Sequence, residues 1–213
     1  MGRLRKKPWA DEYLKNSKIA FVNPINLKGL WNKEVFKNEN CIWIEIGMGK
    51  GNFTIQQAMN NKNINMIGID KYPSVQIVPV KKIEENIIDN LKFISGDAMN
   101  ICDWFNNESI DKIFINFPDP WPKSKHEKRR LLHSNFLNEF YKILKHNSKI
   151  EFKTDQLDLF EFALEEVNSK TKFKIKNEIR DLHKNKSDVI MTEYEKKFSS
   201  LGKIIYYVEL YKE

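Results

Sequence analysis

Short runs rich in β-branched and aromatic residues alternate with longer stretches of helical pattern, and this alternation restricts the fold more than any other feature of the chain. The runs cover residues 41–46, 66–69, 92–95, 110–116, 148–153, 173–179 and 203–210, which predicts seven strands. Helical patterns are predicted over 52–60, 73–88, 127–145 and 155–169, the third carrying Phe136, Leu137, Phe140 and Leu144 near helical spacing. Pro79 predicts a break or kink in the second helix. Strands alternating with helices imply an α/β fold, a mostly parallel sheet with helices on both faces and a ligand crevice at the carboxyl ends of its strands.

At 213 residues, with 41% hydrophobic and 31% charged, the chain fits a single domain with a sizeable core. No stretch approaches the roughly 18 to 20 consecutive apolar residues that spanning a bilayer requires, and no apolar segment follows the basic first residues. Cys41 and Cys102 lie far apart with no partner at metal-ligand spacing, so neither a disulfide framework nor a metal site is expected. A cytoplasmic protein with no membrane association is the expectation.

The net charge of +7 is not spread along the chain. Arg3, Arg5, Lys6 and Lys7 form one run of +4; Lys123, Lys125, Lys128, Arg129 and Arg130, with Glu127 among them, form another. Together they exceed the whole net charge, a distribution that points to a polyanionic partner such as nucleic acid, against the alternative of two solvated runs. Residues 1–20 are expected to be a flexible basic N-terminal arm, and 21–213 the folded domain.

Three acids fall at successive predicted strand ends. Glu45 directly precedes a glycine-rich turn containing Gly47, Gly49 and Gly51, where backbone N–H groups at a helix start can approach a ligand closely. The turn has no Lys-Ser or Lys-Thr pair for a P-loop, and Asn52 stands where a dinucleotide fingerprint needs glycine. A carboxylate before the turn would repel a pyrophosphate and suits a cationic ligand such as the sulfonium and ammonium of S-adenosylmethionine. Asp70, 19 residues beyond Gly51, is placed to hold ribose hydroxyls, and Asp97 to accept from an adenine amine. Each acid alone is more often a helix cap or turn residue; their succession favours a nucleoside.

The fourth strand runs into Asn116-Phe117-Pro118-Asp119-Pro120-Trp121-Pro122-Lys123, in which three prolines fix the backbone around one acid. The second basic run follows at once, with His126 inside it. Phe117 to Leu131 closely resembles the signature of bacterial tRNA (guanine-N7-)-methyltransferases. The resemblance extends to the opening RLRKKPWADEYL, to EIGMGKG, to FKTDQ from Phe152 and to TEYEKKFSSLG from Thr192, and so covers nearly the whole chain.

That resemblance implies a single-domain, Rossmann-like class I methyltransferase fold moving the methyl group of S-adenosylmethionine to N7 of a guanosine in the tRNA variable loop. It implies cofactor contacts at Glu45, Gly47, Gly49, Asp70, Asp97 and Asp119, with Asp119 also the catalytic residue. Substrate contacts are implied at Lys123, Asp155, Thr192, Glu193, Tyr194 and Glu195, with Asp155 or Glu195 the candidate acceptor from guanine N1–H and its amine. Lys125, His126, Lys128, Arg129 and Arg130 match the RNA-contacting segment, and Arg3 and Arg5 are read as part of a phosphate clamp. Asp70 stands where Glu is usual and Lys125 where Arg is usual. Monomer and homodimer both remain open. Other acceptors, a non-catalytic RNA-binding protein and a nicotinamide dehydrogenase are the competing readings; Glu45 and the missing third glycine speak against the last.

Overall fold

The computed structural model describes residues 7–185 and 189–213. Its eight strands are β1 (Ala20–Val22), β2 (Cys41–Ile46), β3 (Ile64–Asp70), β4 (Leu91–Ser95), β5 (Ile110–Asn116), β6 (Leu144–Thr154), β7 (Lys174–Ile179) and β8 (Tyr206–Lys212). They form one sheet in the order β1-β4-β3-β2-β5-β6-β8-β7. Pairing is parallel from β1 to β6, and β8 runs antiparallel to both of its neighbours. The central strands read as near-continuous apolar runs, all seven residues of β3 being buried, because helices cover both faces.

On one face lie α1 (Ala10–Lys15), α2 (Asn52–Asn60) and α3 (Pro73–Glu85), which close a core around Met66, Phe93 and Phe114. On the other, α4 (Ile101–Trp104), α5 (Ser134–Ile143) and α6 (Leu157–Lys170) pack over Ile44, Ile69, Ile113 and Phe152. Two short helices, α7 (Leu182–Asn185) and α8 (Glu193–Ser199), lie between β7 and β8. No helix among the described residues is long and apolar enough to cross a membrane.

Four expectations change. The sheet gains an eighth strand, β1, whose three residues are too few to show a pattern and are held by pairing with β4. The helix expected over 127–145 divides into a 3-10 segment, Ser124–Arg129, and α5, whose N-cap His133 accepts from Asn135 N–H at 3.1 Å. α3 is carried through Pro79 instead of breaking there. From Lys7 onward the segment expected to be a flexible arm is docked: Ala10 and Leu14 are buried, and Tyr13 and Ser17 both donate to Glu84 of α3. Arg3 and Arg5 lie outside the described residues.

Pro79 has a second role. Gly51 sits at φ +72°, and a Cβ there would stand 2.9 Å from the Pro79 ring, so the turn and α3 meet at a distance only glycine permits. Gly96, after β4, is similarly enclosed: an added Cβ would lie 2.4 Å from the buried Trp104 indole and 2.6 Å from Asn23 Oδ1. Gly96→Ala is therefore expected to destabilise the protein by about 1–3 kcal/mol through overpacking. An unchanged midpoint in urea denaturation would show that the indole repacks freely.

Candidate active site

The carboxyl ends of β2 and β5 lie side by side where the chain changes direction across the sheet, with Glu45 opposite Phe114 in register. A cleft of about 870 Å³ opens there. Its floor and one wall are formed by Glu45, the glycine turn, Asp70 and Asp97; Asn116, Phe117 and Asp119 face them, and Lys128, Arg129, Glu193 and Tyr194 stand at the rim.

Three of the acids are held in different ways. Glu45 is 2% exposed and accepts from Asn116 Nδ2 at 2.9 Å and from the Thr54 hydroxyl. Asp70 accepts from Gly49 N–H at 3.0 Å on one oxygen and from Tyr72 N–H at 2.9 Å on the other, so it fastens the glycine turn to the end of β3. Burial pushes its carboxyl above the ordinary value. Asp97 is exposed and caps the following turn by accepting from Met99 N–H at 3.1 Å. The capping role open from sequence is thus real; it engages one oxygen of Asp97, a residue that also lines the cleft.

Asp119 is exposed like Asp97 but differs from all three in that its carboxylate makes no hydrogen bond or ion pair with any described residue. The loop that presents it is strained. Phe117 and Trp121 occupy φ +50° and +41°, a region bulky side chains avoid at a cost of order 1–3 kcal/mol each. Phe117 is retained by its N–H bond to Lys153 O, 2.8 Å, and by its ring packing 4.9 Å from Tyr194.

The rim on α8 is built by a capping box. Thr192 accepts from Glu195 N–H at 2.9 Å, and Glu195 accepts back from Thr192 N–H at 3.3 Å. Glu195 is fully buried and paired with Lys153 at 3.1 Å, so it faces the sheet and not the cleft. Asp155 is likewise engaged, by Lys203 at 2.8 Å and the Tyr194 hydroxyl at 3.2 Å, and it does not line the cleft. The two acids expected to read guanine are therefore turned away from the cavity. Glu193 is the acid of α8 that lines it, beside Asn52 and Lys50.

The basic segment also divides. Lys128 and Arg129 line the cleft, the latter with its guanidinium 5.0 Å from the Trp121 ring centre, while Lys123 and Lys125 are exposed outside it. His126 packs edge-on against Trp121 at 5.7 Å. Arg130 points inward to the Pro120 and Trp121 carbonyls.

Asn116 was not singled out from sequence. Its Oδ1 is buried with no partner among the described residues, at the cleft wall beside Glu45. Its position as the last residue of the strand entering the proline-rich loop was the available signal. Gly49 keeps the turn open within the cleft lining, because a Cβ there would meet nothing within 4 Å. Tyr72 and Met99 leave apolar surface exposed on the lip. An unpaired acceptor beside a buried carboxylate, an open glycine turn and apolar lips fit a cationic, nucleoside-bearing ligand.

Comparison with known proteins agrees with this geometry. The family profile described as "Putative methyltransferase" matches residues 39–208. The tRNA (guanine-N(7)-)-methyltransferase of Malacoplasma penetrans is 46% identical over 95% of this chain and 94% of its own, and that of Bacillus subtilis 43% identical over 98% of each. The chain belongs to the tRNA (guanine-N7-)-methyltransferase family. The aminoglycoside resistance methyltransferase NpmB1 shares the fold, with a TM-score of 0.59 at 17% identity over 85% of this chain and 91% of that one. Within the family's sequence pattern, the cleft gathers the glycine turn, Asp119 and Thr192 to Tyr194, and leaves Asp155 and Glu195 behind the wall as supports.

Burial pushes the Glu45 carboxyl up to about 7, against the opposing effects of Thr54, Asn116 and Lys153; the Asp70 charge pushes it the same way as burial. Because the folded value lies above the ordinary one, the stability this group contributes is fully present below about pH 4.5 and is lost as pH rises through about 7. Glu45→Gln removes that dependence. The unfolding free energy of the variant minus that of the parent is expected to rise by roughly 2.5 kcal/mol between pH 5 and pH 8 in urea titrations. A difference that stays flat with pH would contradict the assignment.

Proposed function

We propose that this protein transfers the methyl group of S-adenosylmethionine to N7 of a guanosine in the variable loop of tRNA, in the cytoplasm. Asp119 carries the reading: a carboxylate without a hydrogen bond or ion pair among the described residues, in a strained loop, lining the same cleft as Glu45, Asp70 and Asp97 and the basic Lys128 and Arg129. Family membership supplies the acceptor.

When bound, S-adenosylmethionine supplies an electrophilic sulfonium methyl. Glu45 and the free Oδ1 of Asn116 are the groups suited to its ammonium. Asp70 suits the ribose, because its oxygens, which accept from the Gly49 and Tyr72 N–H groups, have lone pairs left for hydroxyls. Asp97 suits the adenine amine, with Tyr72 and Met99 offering apolar contact. The glycine turn contributes backbone at close range.

Guanine N7 carries its lone pair in the neutral base, so no side chain need remove a proton before attack. Asp119 therefore acts by position and charge: it orients the base, and its negative charge favours the positive charge that develops on the purine. Lys128 and Arg129 hold phosphates at the rim, with Lys123, Lys125 and His126 extending the basic surface outside the cleft. Glu193 and Tyr194 are the rim residues of α8 in reach of an entering base.

Incubating the protein with methyl-labelled S-adenosylmethionine and unfractionated tRNA is expected to place label on N7 of variable-loop guanosine. Asp119→Ala is expected to lower the turnover number about 100- to 1000-fold while cofactor affinity changes far less. Nuclease digestion with mass mapping checks both; label on another atom, or an undiminished variant, would overturn the assignment.

A further inference from the structure

The basic run that follows the proline-rich loop reads in sequence as one uniform surface for RNA, yet one of its members is built into the loop. Arg130 donates from Nε to Pro120 O at 3.0 Å and from Nη2 to Trp121 O at 3.1 Å. Its guanidinium plane also lies 4.3 Å from the Phe162 ring centre on α6. Its backbone is fixed on both sides: Arg130 N–H donates to Glu127 O at 2.9 Å, and Arg130 O accepts from His133 N–H at 3.0 Å.

These contacts fall on the two residues directly after Asp119, one of which, Trp121, has the left-handed φ of +41°. Pro120 and Pro122 carry no N–H, so the backbone here has few donors with which to hold itself. An outside donor must tie its carbonyls. A guanidinium does this with two N–H groups at fixed spacing, and an aromatic face keeps its plane aligned; an ammonium offers a single point of charge.

We infer that Arg130 is a positioning residue that braces the loop carrying Asp119, and that it is not a phosphate contact. The inference rests on the reading of Asp119 given above. Arg129, one residue earlier, reaches the cleft and has no such carbonyl partners among the described residues, so it remains with the RNA-facing set.

The test compares Arg130→Lys, Phe162→Leu and Arg129→Ala in the full chain with tRNA. It reads the single-turnover methylation rate at saturating tRNA, the tRNA dissociation constant across salt concentrations, and cofactor affinity by calorimetry. Arg130→Lys is expected to slow the single-turnover step at least tenfold while tRNA affinity and its salt slope stay at parental values. Phe162→Leu, which removes the aromatic face beneath the guanidinium together with its stacking on His133, is expected to shift the same quantity in the same direction by less. Arg129→Ala is expected to do the reverse, weakening tRNA binding and reducing the salt slope by about one with less effect on the saturated rate.

A parental rate in Arg130→Lys, or a loss confined to tRNA affinity with a salt slope lower by about one, would overturn the brace. The two readings fail separately. If Asp119→Ala is fully active while Arg130→Lys is slow, the role of Asp119 is wrong, and with it the claim that the brace serves that residue.

Discussion

A buried carboxylate at the point where the sheet changes direction obliges much of the surrounding structure to exist. Glu45 cannot be left there unsupported, because an uncompensated charge in an apolar interior costs far more than the fold can spare. Thr54 from α2 and Asn116 from β5 donate to it, and Lys153 on β6 brings positive charge toward it. Burial pulls the Lys153 ammonium below its ordinary value, and Glu195 on α8 opposes that pull by pairing with it at 3.1 Å. The chain of contacts crosses three parallel strands and ends at the helix carrying Glu193 and Tyr194. Removing one partner of such a pair leaves the other buried and unpaired, typically at a cost of 3–5 kcal/mol, so the floor of the cleft and its rim are energetically one unit.

The proline-rich loop solves a different problem with different means. It has few backbone donors and carries two aromatic residues at positive φ, so its shape is imposed from outside. Lys153 O fixes Phe117, the Tyr194 ring packs on it, and Arg130 ties the far end. Asp119 sits between those anchors with no hydrogen bond or ion pair to a described residue. A group that must meet a ligand is held through its neighbours' backbone and keeps its own oxygens free.

Much of this architecture was legible from residues alone. β2 and β5 occupy the expected spans 41–46 and 110–116 because each is a buried apolar run closed by a turn, the kind of pattern that periodicity reads well. β1 was not legible, because three residues carry no period. Arg130 could not be separated from Arg129, since a side chain's direction depends on how the 3-10 segment turns. Glu195 is more instructive. Thr192 followed by glutamate three residues on is the signature of a capping box, and it marks Glu195 as part of the helix start. The resemblance implies a substrate role for the four residues Thr192 to Glu195, and the structure divides them: Thr192, Glu193 and Tyr194 line the cleft, and Glu195 lies behind it.

The sorting of charge across the cleft bears on how a nucleic acid would enter. Buried Glu45 and Asp70 and exposed Asp97 and Asp119 line the cleft, while the exposed cations Lys128 and Arg129, together with Lys50 and Lys71, stand at its edge, with Lys123 and Lys125 outside it. A phosphate is attracted to that edge and repelled by the acids within, so a strand laid along the rim cannot lead with its backbone. The uncharged base is the part of a nucleotide that can pass inward at least electrostatic cost. The same acids favour a cationic donor within the cleft and a base that becomes cationic on methylation, so one distribution of charge selects both reactants and sets the direction from which each arrives.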